Sequence, residues 1–186
     1  MTASARFGLW LLLAAWPGQP VDDGVRAWVQ AHRVPVLEAP MRLVSDKSRV
    51  VLIAGGALAL FAGSAGRAFA LESAIALVPV NVAAEGLKWC VGRTRPDGDT
   101  NRRNSSLPSS HAANAFAIAM VLARRFRRAA IPAWLAAGIV AYSRLYLDRH
   151  WFSDVVCALA LGVASGLLAA WLLRRWRRTS EATVAA

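Results

Sequence analysis

The stretch Ser143–Asp154, SRLYLDRHWFSD, places an arginine, a histidine and an aspartate close together between two apolar segments. The chain has only 3 histidines, and His150 stands beside two charged residues at the edge of an apolar segment, which makes it a candidate functional residue. His150 and Asp154 are four residues apart, which puts them on one face of any helix that begins near them. Arg144 precedes His150 by six residues, an offset that would point the two apart on an unbroken helix. We therefore expect a loop between them that folds Arg144 back.

Two interpretations of this stretch are open when it is taken alone. A carboxylate four residues from an imidazole can hold one tautomer and stabilise the cation, as an aspartate does in hydrolytic triads. The same residues would also suit a polar loop at a membrane surface, with a snorkelling arginine and aromatic anchors. Further segments of the chain decide between these interpretations.

The composition indicates a membrane protein. Apolar residues make up 56% of the 186 residues, the mean hydropathy is +0.39, and several apolar runs approach the length that crosses a bilayer. The net charge of +11 would suit nucleic acid, but the basic residues are nearly all arginines in short clusters beside apolar runs. That is the inside-positive pattern of membrane proteins, so we expect no nucleic-acid partner. The length fits one domain, residues 1–186.

The sequence indicates neither a disulfide nor a metal site. Cys90 and Cys157 lie in or near apolar segments, where a packing role is more common than a disulfide. The chain has no CxxC and no HExxH motif, so we expect no metal and no other cofactor. His32 has no acidic residue placed beside it and is interpreted as an interfacial histidine.

The predicted fold class is all-α, a polytopic membrane protein with about six spans. The predicted spans are Phe7–Trp16, Val50–Ala65, Ala68–Val91, His111–Leu122, Ile131–Tyr142 and Val155–Leu173. The first is short, so residues 1–20 are either a retained span or a signal-like segment. Residues 20–49 alternate apolar and charged side chains at helical spacing, which predicts short amphipathic helices on the outer membrane surface. Arg67 marks a short inner turn, and residues 179–186 are expected to form a flexible tail.

Arginine clusters predict the orientation of these spans. One cluster, within residues 124–128, follows the fourth span, and another, within residues 174–178, ends the sixth. Their positions agree with an inner location for both, which places the loops 92–110 and 143–154 on the outer face. The 92–110 loop is rich in arginine against this trend, and binding of an anion would explain the exception.

The third predicted span contains ionisable and polar side chains, which usually face a site or a partner when they lie inside a membrane. They are Glu72, Asn81, Glu85 and Lys88. Glu85 and Lys88 are three residues apart and are expected to pair on one helix face.

Three polar segments are thus expected to meet at one membrane face: Lys88–Pro96, Pro108–His111 and Ser143–Asp154. They supply two histidines, a carboxylate, a hydroxyl and three cations. Cations in a partly desolvated site indicate an anionic substrate, and the planar fork of arginine suits phosphate. A helix that begins after Pro108 would add backbone N–H donors. Two histidines allow one to attack while the other protonates a leaving group.

These segments resemble the signature of the type 2 phosphatidic acid phosphatase (PAP2) family, K-x6-RP, PSGH and SR-x5-H-x3-D. The spacing matches within each part and the parts occur in order, so residues 88–154 carry the resemblance directly. One position departs from the pattern, since Ser110 stands where the family has glycine. Glycine allows a close backbone approach and unusual dihedral angles. We expect the serine to change activity or substrate fit without abolishing catalysis.

The resemblance implies a metal-independent phosphatase that hydrolyses a phosphomonoester or pyrophosphate of a membrane lipid. In the implied scheme His150 attacks phosphorus and becomes a phosphohistidine, while Asp154 orients His150 and balances its charge. His111 protonates the leaving oxygen and then activates water. The residues implied to bind the phosphate are Lys88, Arg95, Ser109, Ser110 and Arg144. Candidate substrates are phosphatidic acid, phosphatidylglycerol phosphate, polyprenyl pyrophosphate and lipid A phosphate, in a bacterial-type inner membrane with the site on its outer, periplasmic face.

The signature leaves two alternatives: a lipid phosphotransferase that uses the same site, or a non-catalytic protein that binds anionic lipids. A vanadate enzyme that oxidises halides shares a related anion site, but six spans disfavour it. Four arginines match no part of the signature and are expected at the surface or at lipid head groups: Arg93, Arg102, Arg103 and Arg149. Selectivity is expected to depend on residues 17–49 and on the grooves between the spans, and the sequence makes no prediction about the oligomeric state.

Overall fold

A computed structural model describes residues 18–101 and 104–184 of the chain, with side chains described as far as Ser180. Within these ranges the secondary structure is helical, which confirms the all-α prediction. The helices are α1 (Gln19–Ala31), α2 (Glu38–Ala59), α3 (Gly63–Val91), α4 (Ser110–Arg125), α5 (Ala130–Tyr146) and α6 (Phe152–Val184), with 3-10 turns at Pro35–Leu37 and Arg127–Ala129. The predicted first span Phe7–Trp16 and the arginines Arg102 and Arg103 lie outside the described residues.

Helix α4 is the centre of the fold and packs against α3, α5 and α6. Its residues from Ala112 to Ala119 are all buried, and most of them are alanine, which allows close approach of neighbouring helices. On α6, a Cβ atom at Gly162 would lie 2.7 Å from the carbonyl oxygen of Ala113, so only glycine fits this contact. Because α4 and α6 begin at two of the three signature segments, this tight packing fixes those segments relative to each other.

The outer surface of the helices is apolar, as expected for contact with lipid. Phe61, Ile131 and Val82 are 87%, 74% and 69% exposed. Two described helices, α3 and α6, are long and apolar enough to cross a membrane. The helices α4 and α5 have 16 and 17 residues. At 1.5 Å per residue they span about 25 Å, less than the roughly 30 Å of a hydrocarbon core. The count of six spans stays a prediction.

The boundary between the second and third helices differs from the prediction. Helix α2 begins at Glu38 and ends at Ala59, and α3 begins at Gly63, so the turn precedes Arg67, which lies inside α3. Gly63 has φ of 70°, a left-handed conformation that favours glycine and allows the sharp turn. The predicted span Val50–Ala65 therefore misplaced both ends of this helix.

The region predicted to form short amphipathic helices divides into two parts. Helix α1 is amphipathic, with Val29 buried and the charged Asp23 and Arg26 exposed, and His32 at its end stacks on Trp28. Residues 38–49, however, are the first half of α2 rather than a separate surface helix. Helix α6 continues to Val184, and the flexibility expected of residues 179–186 stays a prediction.

Candidate active site

A polar cavity of ≈ 720 Å³ lies where the ends of α3, α4 and α5 meet the first half of α2. Six of the eight site residues expected from the sequence line it: Lys88, Arg95, Ser110, His111, Arg144 and His150. The two others, Ser109 and Asp154, are fully buried behind the cavity wall. Leu147 is the one apolar residue of the described lining, so the cavity accommodates a polar group.

His150 lies in the turn between α5 and α6, and its ring is fixed by a backbone carbonyl. The Nδ1 atom of His150 lies 2.7 Å from the carbonyl oxygen of Ser106. A carbonyl oxygen only accepts, so Nδ1 carries the proton and Nε2 keeps its lone pair. Burial lowers the pKa of His150 to about 4, against the opposing effect of the Asp154 carboxylate. The imidazole is therefore neutral at pH 7, the form that a nucleophile requires.

Asp154 is close to His150 but makes its hydrogen bonds elsewhere. Its Oδ2 lies 3.6 Å from His150 Nδ1, which is within ion-pair range but beyond hydrogen-bond distance. Oδ2 instead accepts from the backbone N–H of Trp151 at 2.8 Å, and Oδ1 accepts from Arg93 Nη1 at 2.8 Å. The expected orienting role of Asp154 stays a prediction. In the structure the imidazole is held by the hydrogen bond that His150 Nδ1 donates to the carbonyl oxygen of Ser106.

Arg93 is a functional candidate that the sequence interpretation assigned to the surface, and that assignment was wrong. Its Nη2 donates to Asp22 at 2.7 Å while its Nη1 donates to Asp154, and its side chain is only 10% exposed. The backbone carbonyl of Arg93 accepts a hydrogen bond from the N–H of Ser106 at 2.9 Å. This bond helps to position Ser106, whose own carbonyl oxygen contacts His150. Two buried carboxylates need a buried cation between them, and this is why Arg93 turns inward.

Asp22 of α1 is the second residue that the sequence interpretation missed. It is 1% exposed and accepts from the backbone N–H of Ser153 at 2.8 Å and from its hydroxyl at 2.6 Å. Helix α1 is thereby attached to the first turn of α6, next to Asp154. The only signal in the sequence was one acidic residue at the start of an amphipathic helix, which is too common a feature to single out.

Arg95 and Arg144 are buried cations without a carboxylate partner among the described residues. Arg95 is 8% exposed and donates to the carbonyl oxygen and side-chain amide oxygen of Asn104 at 2.8 and 2.6 Å. Arg144 is 7% exposed, donates to the hydroxyl of Ser45 through Nη1, and has a buried Nε with no hydrogen-bond partner. Both arginines line the cavity and have more N–H groups than protein acceptors, because a guanidinium carries five N–H groups.

Lys88 and Ser110 share Glu85 as a partner. Lys88 Nζ lies 2.9 Å from Glu85 Oε1, which confirms the expected pair, and Ser110 Oγ donates to the same oxygen at 3.4 Å. Helix α4 begins at Ser110 with Ser109 as its N-cap, so the free N–H groups of its first turn lie at the cavity beside His111. Ser110 has no positive φ, so the serine fits this backbone without strain.

The first half of α2 forms the opposite wall and adds charges beyond the signature. Its cavity-lining residues are Glu38, Arg42, Ser45, Asp46 and Arg49. Arg42 pairs with Glu38 at 2.6 Å, whereas Arg49 forms no ion pair with any described residue. Arg149, expected at the surface, is exposed but also lines the cavity and pairs with Asp97 at 3.0 Å. No group of three or more His, Cys, Asp or Glu side chains suited to a metal ion occurs within the described ranges.

Two curated proteins are similar to the central part of the chain. A lipid A 1-phosphatase of Porphyromonas gingivalis is 35% identical over 89 residues, which is 46% of this chain and 19% of that protein. A lipid A 4'-phosphatase of Bacteroides thetaiotaomicron is 35% identical over 101 residues, 44% of this chain and 43% of that protein. The chain thus spans less than half the length of either relative.

Two solved structures share the fold. A PAP2-type phosphatidylglycerolphosphate phosphatase from Bacillus subtilis superposes with a TM-score of 0.70 at 22% identity, covering 92% of this chain and 95% of that one. The LpxE protein of Aquifex aeolicus gives a TM-score of 0.69 at 22% identity, covering 78% and 92%. The model of the PAP2 superfamily matches residues 65–178, which include all three signature segments. The chain is a membrane protein and belongs to the PAP2 superfamily.

Proposed function

We propose that this protein is a metal-independent phosphatase that removes a phosphoryl group from a membrane lipid through a phosphohistidine intermediate. The observation that carries the proposal is the pair Arg95 and Arg144, buried at the same cavity as His111 and His150 without a carboxylate to neutralise them. A buried cation without a partner costs several kcal/mol. The negative oxygens of a phosphoryl group would offset that cost and accept the unused N–H groups.

The proposed reaction proceeds in two steps. An anionic phosphate bound in the cavity favours the protonated form of His111. The lone pair of His150 Nε2 attacks phosphorus, the bond between phosphorus and the lipid oxygen breaks, and the protonated His111 gives that oxygen its proton. His111 then takes a proton from water, the resulting hydroxide attacks phosphorus, and the P–N bond breaks with its electron pair returning to Nε2. Lys88, Arg95 and Arg144 bind the non-bridging oxygens, whose charge they stabilise throughout.

Ser109 and Ser110 contribute differently to phosphate binding in this proposal. Ser110 lines the cavity and lies within the first turn of α4, where its backbone N–H is free to donate. Ser109 is fully buried, and its hydroxyl has no hydrogen-bond partner among the described residues. In this proposal a phosphoryl oxygen reaches that hydroxyl after a small shift of the cavity wall, which Ser109 does not line in the structure.

The polarity of α2 supports a lipid rather than a water-soluble substrate. Its residues between Glu38 and Arg49 face the catalytic cavity, and the following residues from Val51 to Leu60 line an apolar groove of ≈ 640 Å³ between α2, α3 and α4. One helix therefore provides a polar wall and an apolar wall in succession. An amphiphile fits this arrangement, with its phosphate in the cavity and its tails along the groove or in the bilayer.

The size and charge of the cavity support a head group larger than a single phosphate. Arg49 lines the wall that faces the signature residues and has no ion pair within the described structure. In this proposal it binds a second anionic group of the substrate, such as another phosphate. The two curated relatives are named for lipid A phosphates and a solved structure for phosphatidylglycerol phosphate, so these lipids belong among the substrates to test.

The proposed location is a bacterial inner membrane, crossed several times, with the catalytic cavity on the outer, periplasmic face. The arginine clusters at the ends of α4 and α6 lie at the other end of these helices from His111 and Asp154. Arginines accumulate on the inner side of membrane proteins, which supports this orientation. A reporter fused to either terminus in cells would test it.

The decisive experiment measures phosphate release from a panel of purified lipid phosphates in detergent, with and without a chelator, for the parent and His150→Ala. We expect chelator-insensitive release that His150→Ala abolishes, together with a phosphorylated histidine that is trapped in the parent alone. Full activity of His150→Ala would refute the proposal. Free phosphate as the sole product in the presence of lipid acceptors would exclude the phosphotransferase, and lipid binding without turnover in the parent would favour the non-catalytic alternative.

A further inference from the structure

A second, smaller cavity of ≈ 280 Å³ lies at the other end of the helices from the catalytic cavity. It is lined by Glu72 of α3, by Arg124 and Arg125 of α4, and by Arg174 and Arg177 of α6, with two apolar residues of α6. Arg125 follows His111 by fourteen residues on α4, and Arg174 follows Asp154 by twenty, which separates the two cavities by roughly 20 to 30 Å. The lining arginines belong to the two clusters that indicate the inner side of the membrane, so in the proposed orientation the second cavity lies at the membrane surface opposite the catalytic cavity.

The second cavity has an excess of positive charge. Glu72 neutralises one of the four guanidinium groups through Arg125, with Nη2 and Oε2 3.1 Å apart. Among the described side chains, residues 18–101 and 104–180, Arg124, Arg174 and Arg177 have no ion-pair partner, and the four arginines and one glutamate of the lining give it a net formal charge of +3. Like charges held together in this way repel unless an anion lies among them.

Arg125 provides an independent observation that an acceptor belongs here. Its Nε atom is buried and has no hydrogen-bond partner among the described residues. Its side chain is 20% exposed, and the pair with Glu72 keeps it at the cavity. A buried N–H group without an acceptor is costly, and an oxygen of a bound anion would satisfy it.

We propose that this cavity binds a phosphate group, and that its place at a membrane surface makes an anionic lipid head group the source. Guanidinium forks match phosphate oxygens in pairs, and basic pockets between membrane helices recognise anionic head groups. Ala170 and Leu173 of the lining, with the exposed Trp171 between them, provide apolar contact for the start of the acyl chains. The ligand would connect the ends of α3, α4 and α6, the helices whose other ends carry Lys88, His111 and Asp154.

Two double variants distinguish specific binding at this cavity from a general effect of surface charge. Arg124→Gln with Arg177→Gln removes two lining arginines that are exposed and have no ion pair among the described side chains, so we expect the variant to fold. Arg127→Gln with Arg128→Gln removes the same charge from the adjacent 3-10 turn, which does not line the cavity. Phosphatase activity in neutral detergent is measured for both, and we expect it to equal that of the parent.

The binding experiment follows the thermal unfolding of the detergent-solubilised protein during titration with short-chain phosphatidylglycerol, short-chain phosphatidylcholine or inorganic phosphate. Ligand that binds the folded state raises the unfolding temperature. We expect phosphatidylglycerol to do so for the parent and the Arg127/Arg128 variant, with half-effect concentrations roughly tenfold higher or more for the Arg124/Arg177 variant. Phosphatidylcholine should give no comparable shift.

The outcomes that overturn the proposal are distinct. An equal response of both double variants, or an equal effect of phosphatidylcholine, would show that surface charge or detergent exchange causes the shift and that the cavity is not a phosphate site. If inorganic phosphate reproduces the shift at equal phosphate concentration, and the shift depends on Arg124 and Arg177, the phosphate site is upheld and the lipid source is overturned.

Discussion

Arg93 Nη1 and Asp154 Oδ1 lie 2.8 Å apart in a pair that is almost completely buried, with side-chain exposures of 10% and 0%. Asp22 binds the other end of the same guanidinium at 2.7 Å. One cation thus holds together α1, the loop after α3 and the first turn of α6. This arrangement connects the amphipathic helix α1 to the turn that carries His150.

The Arg93–Asp154 pair predicts a strong coupling between the two positions. Removal of either partner leaves an uncompensated buried charge, so Arg93→Gln and Asp154→Asn should each destabilise the protein by roughly 3 to 5 kcal/mol. The double variant should cost clearly less than the sum, with a coupling of about 1 to 3 kcal/mol. Chemical denaturation in detergent measures the cycle, and additive effects would contradict direct pairing.

The contacts of Asp22 with Arg93 and Ser153 predict that Asp22 affects turnover, although it does not line the catalytic cavity. Asp22→Asn leaves Arg93 and Ser153 with a weaker acceptor, so the turn that carries His150 should shift. We expect kcat to fall roughly tenfold to a hundredfold while KM changes less. The matched control is Asp23→Asn, because Asp23 is exposed on the same helix and bonds only to Gln19 among the described residues. Equal effects of the two substitutions would refute a positioning role for Asp22.

The depressed pKa of His150 predicts a pH-dependent stability. Because burial lowers the pKa to about 4 from an ordinary 6.5, the unfolded chain binds more protons between these values. The contribution is complete above pH 6.5 and is lost as the pH falls toward 4, by a total on the order of 3 kcal/mol. His150→Gln, which does not titrate, should lose less stability over this window when unfolding temperatures are compared in one detergent. Parallel curves for the two proteins would contradict the expectation.

We predict that the enzyme activity tolerates replacement of Ser110 by glycine, the residue that the PAP2 signature has at this position. The serine adopts no positive φ and makes only a long hydrogen bond to Glu85, so Ser110→Gly should leave kcat/KM within a few-fold of the parent. It should also lower stability by roughly 0.5 to 1 kcal/mol, because glycine loses more freedom when a helix forms. A loss of activity of a hundredfold would show that the serine side chain itself takes part.

Arg49 predicts selectivity for the number of anionic groups on the substrate. If it binds a second phosphate, Arg49→Gln should lower kcat/KM for a lipid with two phosphates by roughly tenfold and affect a lipid with one phosphate far less. Lys47→Gln is the matched control, since Lys47 lies on the same helix outside the cavity lining. The same loss for both lipids would place Arg49 at the reacting phosphate instead.

The sequence predicted most of the helices because apolar periodicity and length reflect burial in lipid or protein directly. The predictions for α4 and α5 begin within one residue of the structure and end within four. The prediction for α6 starts three residues late and ends at Leu173, whereas the helix continues to Val184. The boundary between α2 and α3 was misplaced, since polar residues in the first half of α2 resemble a surface helix. They face a cavity instead, and this environment arises only when distant helices pack around it.

The sequence by itself determined the family, the all-helical class and the signature residues, because motif spacing and apolar content are properties of the linear chain. Only the tertiary structure decided that Ser106 fixes the tautomer of His150, that Arg93 is buried between Asp22 and Asp154, and that Arg49 joins the cavity wall. Each of these depends on groups far apart in sequence, and their partners are selected by the desolvation of charge that occurs when the helices pack.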